Sequence, residues 1–327
     1  MRLCPRKKYL HYLSAATVLI TIAATLPSSP ASAQPQVTAT IGAWNIQWLG
    51  SPDERPSYAA NIAQKAEDIA AYIVASKVDI LGLEEITDND NQPTKFTNLT
   101  LDKAFALIKT NHGQDWTYVL FPKGAGQNTQ LLGLAWNKTR VTGPFEQWEI
   151  PLDYSPASDE VWRRKPYAVK LSFGAGKTDL VVVVVHMKSG LPVAQTGCDN
   201  ECVKCARSTE AYLLASKLDE LRTKFQDDDI VILGDTNVLR AEKSAVRHFT
   251  LAGFKDLNAS ERETHFDGQP LDRIFVKANQ AEFVNSSFTV FKDEYLQSAH
   301  LSTNNFRKFY SDHYLVKTSF LVKDDDD

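Results

Sequence analysis

Five consecutive valines, Val181 to Val185, leave few folds open. β-branched side chains are stiff and favour strands. A strand wet on one face alternates apolar and polar residues, so an unbroken apolar run is apolar on both faces. The segment is therefore expected inside a sheet that is covered on both sides. Tyr167–Phe173 and Leu180–His186 flank Gly174-Ala175-Gly176 and read as a hairpin. Further strands are expected at Val37–Trp48, Asp79–Ile86, Thr117–Phe121, Leu131–Trp136, Ile230–Leu233, Leu271–Val276, Phe283–Phe291 and Tyr314–Val322. Helical spacing marks Tyr58–Ser76, Leu101–Thr110, Arg207–Phe225 and a stretch around Glu242–Ala252. Hairpins mixed with strand–helix alternation predict one domain, a sheet stacked on a second sheet with helices outside.

The N-terminus reads separately. A basic head (Arg2, Arg6, Lys7, Lys8), an uncharged run Leu13–Leu26 and a small-residue site Ala31-Ser32-Ala33 have the form of a secretory signal peptide. The expected boundaries are residues 1–33 for the signal, 34–323 for the domain and 324–327 for an acidic tail. No later run of about 18 apolar residues is expected to span a bilayer. Export to the extracellular space or periplasm follows as an expectation. Four basic residues and no acidic one leave with the signal, taking the net charge from −4 to −8. Such a chain is no generic polyanion binder; action on nucleic acid would need a local basic strip and a metal ion. Cys198, Cys202 and Cys205 remain in one stretch, where an exported chain favours a disulfide with one thiol left over. Asn98-Leu99-Thr100 and Asn137-Lys138-Thr139 match glycosylation acceptors.

The chemistry falls at strand ends. Asn45, Glu84, Glu85, His186, Asp235 and Asn237 follow apolar strands; Asp272, Asp312 and His313 precede them. One such terminus is explained by turn preference alone. Six with the same chemistry suggest one site at one edge of the sheets. If the chain stays extended, Asp235 and Asn237 point to one face and Thr236 to the other. Hard oxygen donors at Asn45, Glu85, Asp235, Asn237 and Asp312 suit magnesium, manganese or calcium rather than zinc. Histidines beside carboxylates suit proton transfer, and Asp272 could orient one imidazole. His248 and His265 read as surface residues, and the six tryptophans as packing.

These pieces, in order, resemble the endonuclease/exonuclease/phosphatase family, of the deoxyribonuclease I-like fold. The matching segments are Trp44-Asn45-Ile46, Asp79–Ile86, His186 with Lys188-Ser189, Gly234–Asn237, Leu271–Ile274 and Ser311–Tyr314. The resemblance implies an α+β fold, a four-layer αββα sandwich of two mostly antiparallel sheets flanked by helices. It implies Glu85 as the primary metal ligand, with Asn45 and Asp312 near the ion, magnesium foremost and manganese or calcium as alternatives. Glu84 stands where the family usually has Gln and is not expected to be the main ligand. The implied catalytic set is His186, Asp235, Asp272 and His313. Asn237 and Arg164 are the implied substrate contacts, Arg164 being equally readable as a solvated charge. A histidine at 186 is similar to deoxyribonuclease I, its toxin relatives, sphingomyelinases and inositol-phosphate phosphatases; abasic-site endonucleases usually have an amide there. Gln130 aligns with the carboxylate that supports this histidine in deoxyribonuclease I.

The resulting expectation is a secreted, monomeric, divalent-metal-dependent nuclease that hydrolyses DNA or RNA by in-line attack of water. Nucleic acid is its partner as substrate, and no stable protein partner is expected. A sphingomyelinase-like phospholipid phosphodiesterase or phosphatase is the alternative, and a binding module with a dead site is the third.

Overall fold

The computed structural model describes residues 37–50, 59–90, 95–122, 129–152, 162, 164–190 and 200–325. The signal segment, Arg163, Cys198, the Cys202 side chain and Asp326–Asp327 lie outside the described residues. The strands are β1 Val37–Leu49, β2 Ile80–Thr87, β3 Trp116–Leu120, β4 Gln130–Asn137, β5 Thr142–Glu149, β6 Tyr167–Ser172, β7 Asp179–His186, β8 Ile230–Asp235, β9 Phe254–Asp256, β10 Asp272–Lys277, β11 Thr289–Val290 and β12 Val316–Val322. The helices are α1 Ala66–Ser76, α2 Leu99–His112, α3 Asn200–Ser216, α4 Leu218–Phe225, α5 Arg247–Leu251, α6 Asp293–Ser298 and α7 Thr303–Phe309.

One sheet runs β11-β12-β1-β2-β4-β3 and the other β5-β6-β7-β8-β10-β9. Each is antiparallel except for one central pair, β1 with β2 and β7 with β8. Three apolar layers hold four structural layers together. Val182 and Val184 of the valine run face the middle layer with Ile41, Leu134 and Leu233. Val181, Val183 and Val185 face Leu214 and Leu221 of α3 and α4. Tyr72 of α1 heads the opposite layer with Trp44 and Phe306. The valines are thus buried on both faces, as the uninterrupted run predicts.

Several elements differ from the periodicity. The expected Arg207–Phe225 helix divides at Lys217, where α3 gives way to α4. The Glu242–Ala252 stretch opens with a 3₁₀ segment, Arg240–Val246, before α5. Only Thr289–Val290 of the expected Phe283–Phe291 strand pairs with a neighbour. Asn98 is no exposed acceptor: it caps α2 from Oδ1, and its Nδ2 donates to the carbonyls of Leu49 and Thr87 (2.9 and 2.8 Å). Asn137 is buried too. Cys205 is an exposed free thiol. Asp324 of the tail pairs with Lys177. Among the described residues no helix is long and apolar enough to cross a membrane.

At the end of the second sheet away from the polar strand termini, Lys170 lies between Asp179 (2.9 Å) and Asp227 (3.1 Å). Burial, then the Asp179 carboxylate, push Asp227 up to about 7. A folded-state pKa raised above the unfolded one stabilises fully below the unfolded value, and that stability is lost as pH rises through about 7. Denaturation midpoints for Asp227→Asn and the parent chain should therefore converge below about pH 4, draw apart between there and about pH 7, and stay separated above it, with the variant ahead. Parallel curves across that range would remove the shared proton from the account.

Candidate active site

The parallel pairs carry their C-terminal ends to the same edge, and β10 begins there. Register brings His186 level with Asp235 and Asp235 level with Asp272. Asn45 is level with Glu84, after which the β1–β2 and β2–β4 registers both slip. Glu85 sits at that bulge with φ 58. The irregularity sends two adjacent acids different ways, as bulges do. Glu85 lines a cavity of about 340 Å³ at the sheet edge, together with His186, Asp235, Asn237, Asp312 and His313. Glu84 points inward instead, fully buried and with both oxygens unpartnered. Burial, then Asp272 and Asp235, raise its carboxyl well above the usual range, which favours the neutral acid.

Asp235 is the hub. Its Oδ2 accepts from Asn45 Nδ2 and Asn237 Nδ2 (both 3.1 Å), and lies 3.4 Å from His186 Nε2 and 3.8 Å from His313 Nε2. Its Oδ1 accepts the Asn237 backbone N–H at 2.7 Å. That turn corrects the extended reading of this segment. β8 stops at Asp235, and Asn237 is left-handed with φ 52, so the two side chains meet by an Asx turn and not by pleat alternation. Thr236 does point away, donating to the Leu271 carbonyl (2.7 Å).

The two histidines have different environments. His313 Nδ1 faces Asp272 Oδ2 at 2.9 Å, and the Ser311 hydroxyl accepts its backbone N–H (3.0 Å). Burial opposes its charge, but Asp272 and Asp235 outweigh burial and hold the ring well above its ordinary pKa. His186 is buried with Nδ1 unpartnered; desolvation, then Arg164, hold it well below the ordinary value. The surroundings thus favour the neutral ring at His186 and the charged ring at His313. Gln130 does not support the His186 ring as its alignment suggested. Its Nε2 donates to Glu85 Oε2 (2.6 Å), and its Oε1 accepts from Arg164 (3.1 Å).

Arg164 is likewise not on the cavity wall. It is buried, donating to the carbonyls of His186 (3.2 Å) and Met187 (3.0 Å) as well as to Gln130, and so pins the end of β7. Glu210 of α3 holds the same loop by accepting the Lys188 N–H (2.8 Å). Asn45 presents its N–H group, not its oxygen, to Glu85 (3.2 Å) and Asp235, while its Oδ1 accepts the Gln47 N–H (3.0 Å). As oriented it bridges two carboxylates.

The site also takes in residues that the sequence did not mark, His265 with Asp267 and Gln47 among them. His265, expected on the surface, lines the cavity: Nδ1 lies 2.6 Å from Asp267, Nε2 lies 3.6 Å from Asp312, and the ring packs edge-on to His313. Gln47 donates to Asp312 from a left-handed backbone (φ 35). Burial works against the Asp312 charge, but the adjacent His265 and His313 more than offset it and hold its carboxyl low.

The donor set fits a hard divalent ion. Burial, then the charge of Asp312, push Glu85 up to about 7, and a cation beside both acids would relieve that repulsion. Glu85 and Asp312 would hold it, and its chemistry would be polarisation of a phosphoryl oxygen. The histidine-containing groups His265/Asp312/His313 and Asp235/Asp272/His313 are compact enough to ligate as well.

No curated protein sequence matches the chain. Solved structures do. The mannosyl-6-phosphatase of Bacteroides thetaiotaomicron is 15% identical over 86% of this chain and 99% of its own, with TM-score 0.57. An endonuclease/exonuclease/phosphatase from Bacteroides vulgatus is 14% identical over 88% of this chain and 100% of its own, also at 0.57. D. rerio TDP2, determined with a single-strand DNA product, is 15% identical over 86% of this chain and 98% of its own, at 0.50. At these identities they establish the two-sheet fold alone. A sequence model of the endonuclease/exonuclease/phosphatase family matches residues 42–313, from β1 to the second histidine, and the chain belongs to that family.

Proposed function

We propose that this chain is an exported, divalent-metal-dependent phosphodiesterase that hydrolyses nucleic acid. One observation carries the preference for a diester. Among the described residues, the cavity wall offers carboxylates and three histidines but no lysine or arginine. A terminal phosphate dianion would have only the metal ion and the histidines to balance it among these carboxylates, whereas a diester carries one charge and needs less. Of the fold relatives, one carries a single-strand DNA product and another is a sugar-phosphate phosphatase, so both chemistries suit the fold.

In this reading a bound divalent ion supplies Lewis-acid polarisation. Asp235 and the neutral His186 orient water and take its proton. His313, charged through Asp272, protonates the leaving oxygen. Asn237, held by Asp235 and the Met187 carbonyl, stands beside the reacting phosphate. A phospholipid substrate would call for a contiguous apolar patch at the mouth. Of the exposed large hydrophobics among the described residues, Leu239 lines the cavity and Phe266 stands beside it next to His265, whereas Val37, Leu99, Tyr212, Leu251 and Val284 belong to other elements, so two side chains and no contiguous patch are near the mouth.

The test is purified protein incubated with plasmid DNA, RNA, sphingomyelin vesicles and a sugar monophosphate, with magnesium, manganese or calcium, and with chelator. Nucleic acid cleavage that chelation abolishes is expected. Turnover of the lipid or the monoester alone would overturn the reading.

A further inference from the structure

A second cavity of about 260 Å³ adjoins the first and shares Gln47 with it. Its other polar walls are Asn61, Asn304, Arg307 and Lys308. The two cations occupy the last turn of α7, three residues before the Ser311-Asp312-His313 segment that enters the catalytic cavity. Arg307 lies 3.8 Å over the ring of Phe266, and Lys308 lies 5.3 Å over Phe309, so both charges rest on aromatic faces rather than on carboxylates. Phe266 is tied to the catalytic loop in turn: it follows His265, and its N–H donates to the Asp312 carbonyl at 2.8 Å. The Arg307 stack therefore fixes a positive group at a set place relative to the reacting centre.

We infer that this cavity is a phosphate subsite for the nucleotide next to the scissile bond, with Arg307 and Lys308 as its cations and Asn61 and Asn304 as neutral donors. The inference rests on the nuclease reading and adds to it. Two cations with side-chain amides are phosphate-contacting chemistry, which positions a backbone without reading its sequence. The arrangement divides the work between two chambers. The acid-lined chamber does the chemistry and attracts no polyanion by itself. The basic chamber, one wall away, supplies a local positive strip to a chain of net charge −4. Basic residues in a last helical turn also complement the helix dipole. That role would alter stability but not the dependence of rate on substrate length.

The experiment compares R307E/K308E with the parent chain on two substrates under the same metal. One is bis(p-nitrophenyl) phosphate, which has a single phosphate. The other is a series of oligodeoxynucleotides from two to twelve residues. The expected result is a change below about twofold on the small ester, which also reports an intact fold. On the longer oligonucleotides kcat/KM should fall by more than tenfold, carried by KM. The slope of log kcat/KM against log salt should become shallower by about 1 to 2. Loss of rate on both substrates alike, or unimpaired cleavage of the oligonucleotides, would overturn the subsite while leaving the nuclease reading standing. A parent chain that hydrolyses the small ester but no oligonucleotide would overturn both.

Discussion

A His313→Ala protein is expected to lose about a thousandfold in turnover of a phosphodiester while remaining folded, with a lower unfolding midpoint because two buried carboxylates lose their cation. The ring is almost wholly enclosed, yet it is bound to its neighbours through one tight contact, Nδ1 to Asp272 at 2.9 Å. Its Nε2 stands 3.8 Å from Asp235, on the cavity side. Removing it leaves Asp272 and Asp235 facing each other across the β8–β10 register with no cation between them. Asp235 then loses the neighbouring charge that offsets its burial, so the variant loses the acid and disturbs the base together. Asp272→Asn separates these effects. It keeps a hydrogen-bonding group in place but removes the charge that outweighs burial at His313. Because His313 acts protonated and its pKa is raised, activity is retained as pH rises and is lost only above that raised value. In Asp272→Asn the alkaline limb of the pH–rate profile should move down towards neutrality. Near-normal turnover in His313→Ala, or an unshifted limb in Asp272→Asn, would remove His313 from the acid role.

Much of the site was readable because strands deliver side chains at predictable places. A buried strand that ends in an acid or an amide places polar groups where apolar ones would pack, and six such ends suggested a common destination. The fold was readable for a related reason: Val181–Val185 has no solvent face to offer. The unreadable parts are those that tertiary contact alone decides. His265 looked like a loop residue because nothing local distinguishes it; its partner Asp312 is far along the chain, and the short bridge between His265 and His313 brings them together. Gln47 enters through a left-handed turn that no periodicity encodes. Arg164 looked like a solvated or substrate-facing charge, because sequence shows the guanidinium but not the three acceptors already waiting for it. Asn98 matched an acceptor tripeptide, while its real use, capping α2 and bridging two loops, depends on where β1 and β2 end.

Gly234→Ala is the substitution with the largest expected cost to stability, and the reason joins the two sheets to the chemistry. Gly234 has φ +133, a region that residues with a Cβ rarely occupy. It pairs with Val185 across the parallel β7–β8 ladder, and an added Cβ would lie 2.1 Å from the Val185 carbonyl oxygen and 2.7 Å from Glu84 Oε1. The first of these is backbone in a central strand and has nowhere to go. Backbone strain and overpacking together put the penalty at about 4 kcal/mol. Gly253 supplies the comparison: it also has positive φ (+88), but a Cβ there meets nothing within 4 Å. Gly253→Ala should cost about 1 kcal/mol from the dihedral alone. Urea titration of the two variants separates steric closure from backbone preference, and equal midpoints would show that the contact with β7 yields. If the predicted difference holds, activity in the folded fraction of Gly234→Ala should fall too. Any relief of the clash must move Gly234 away from Val185, and the next residue is Asp235, the carboxylate on which Asn45, Asn237 and both histidines converge.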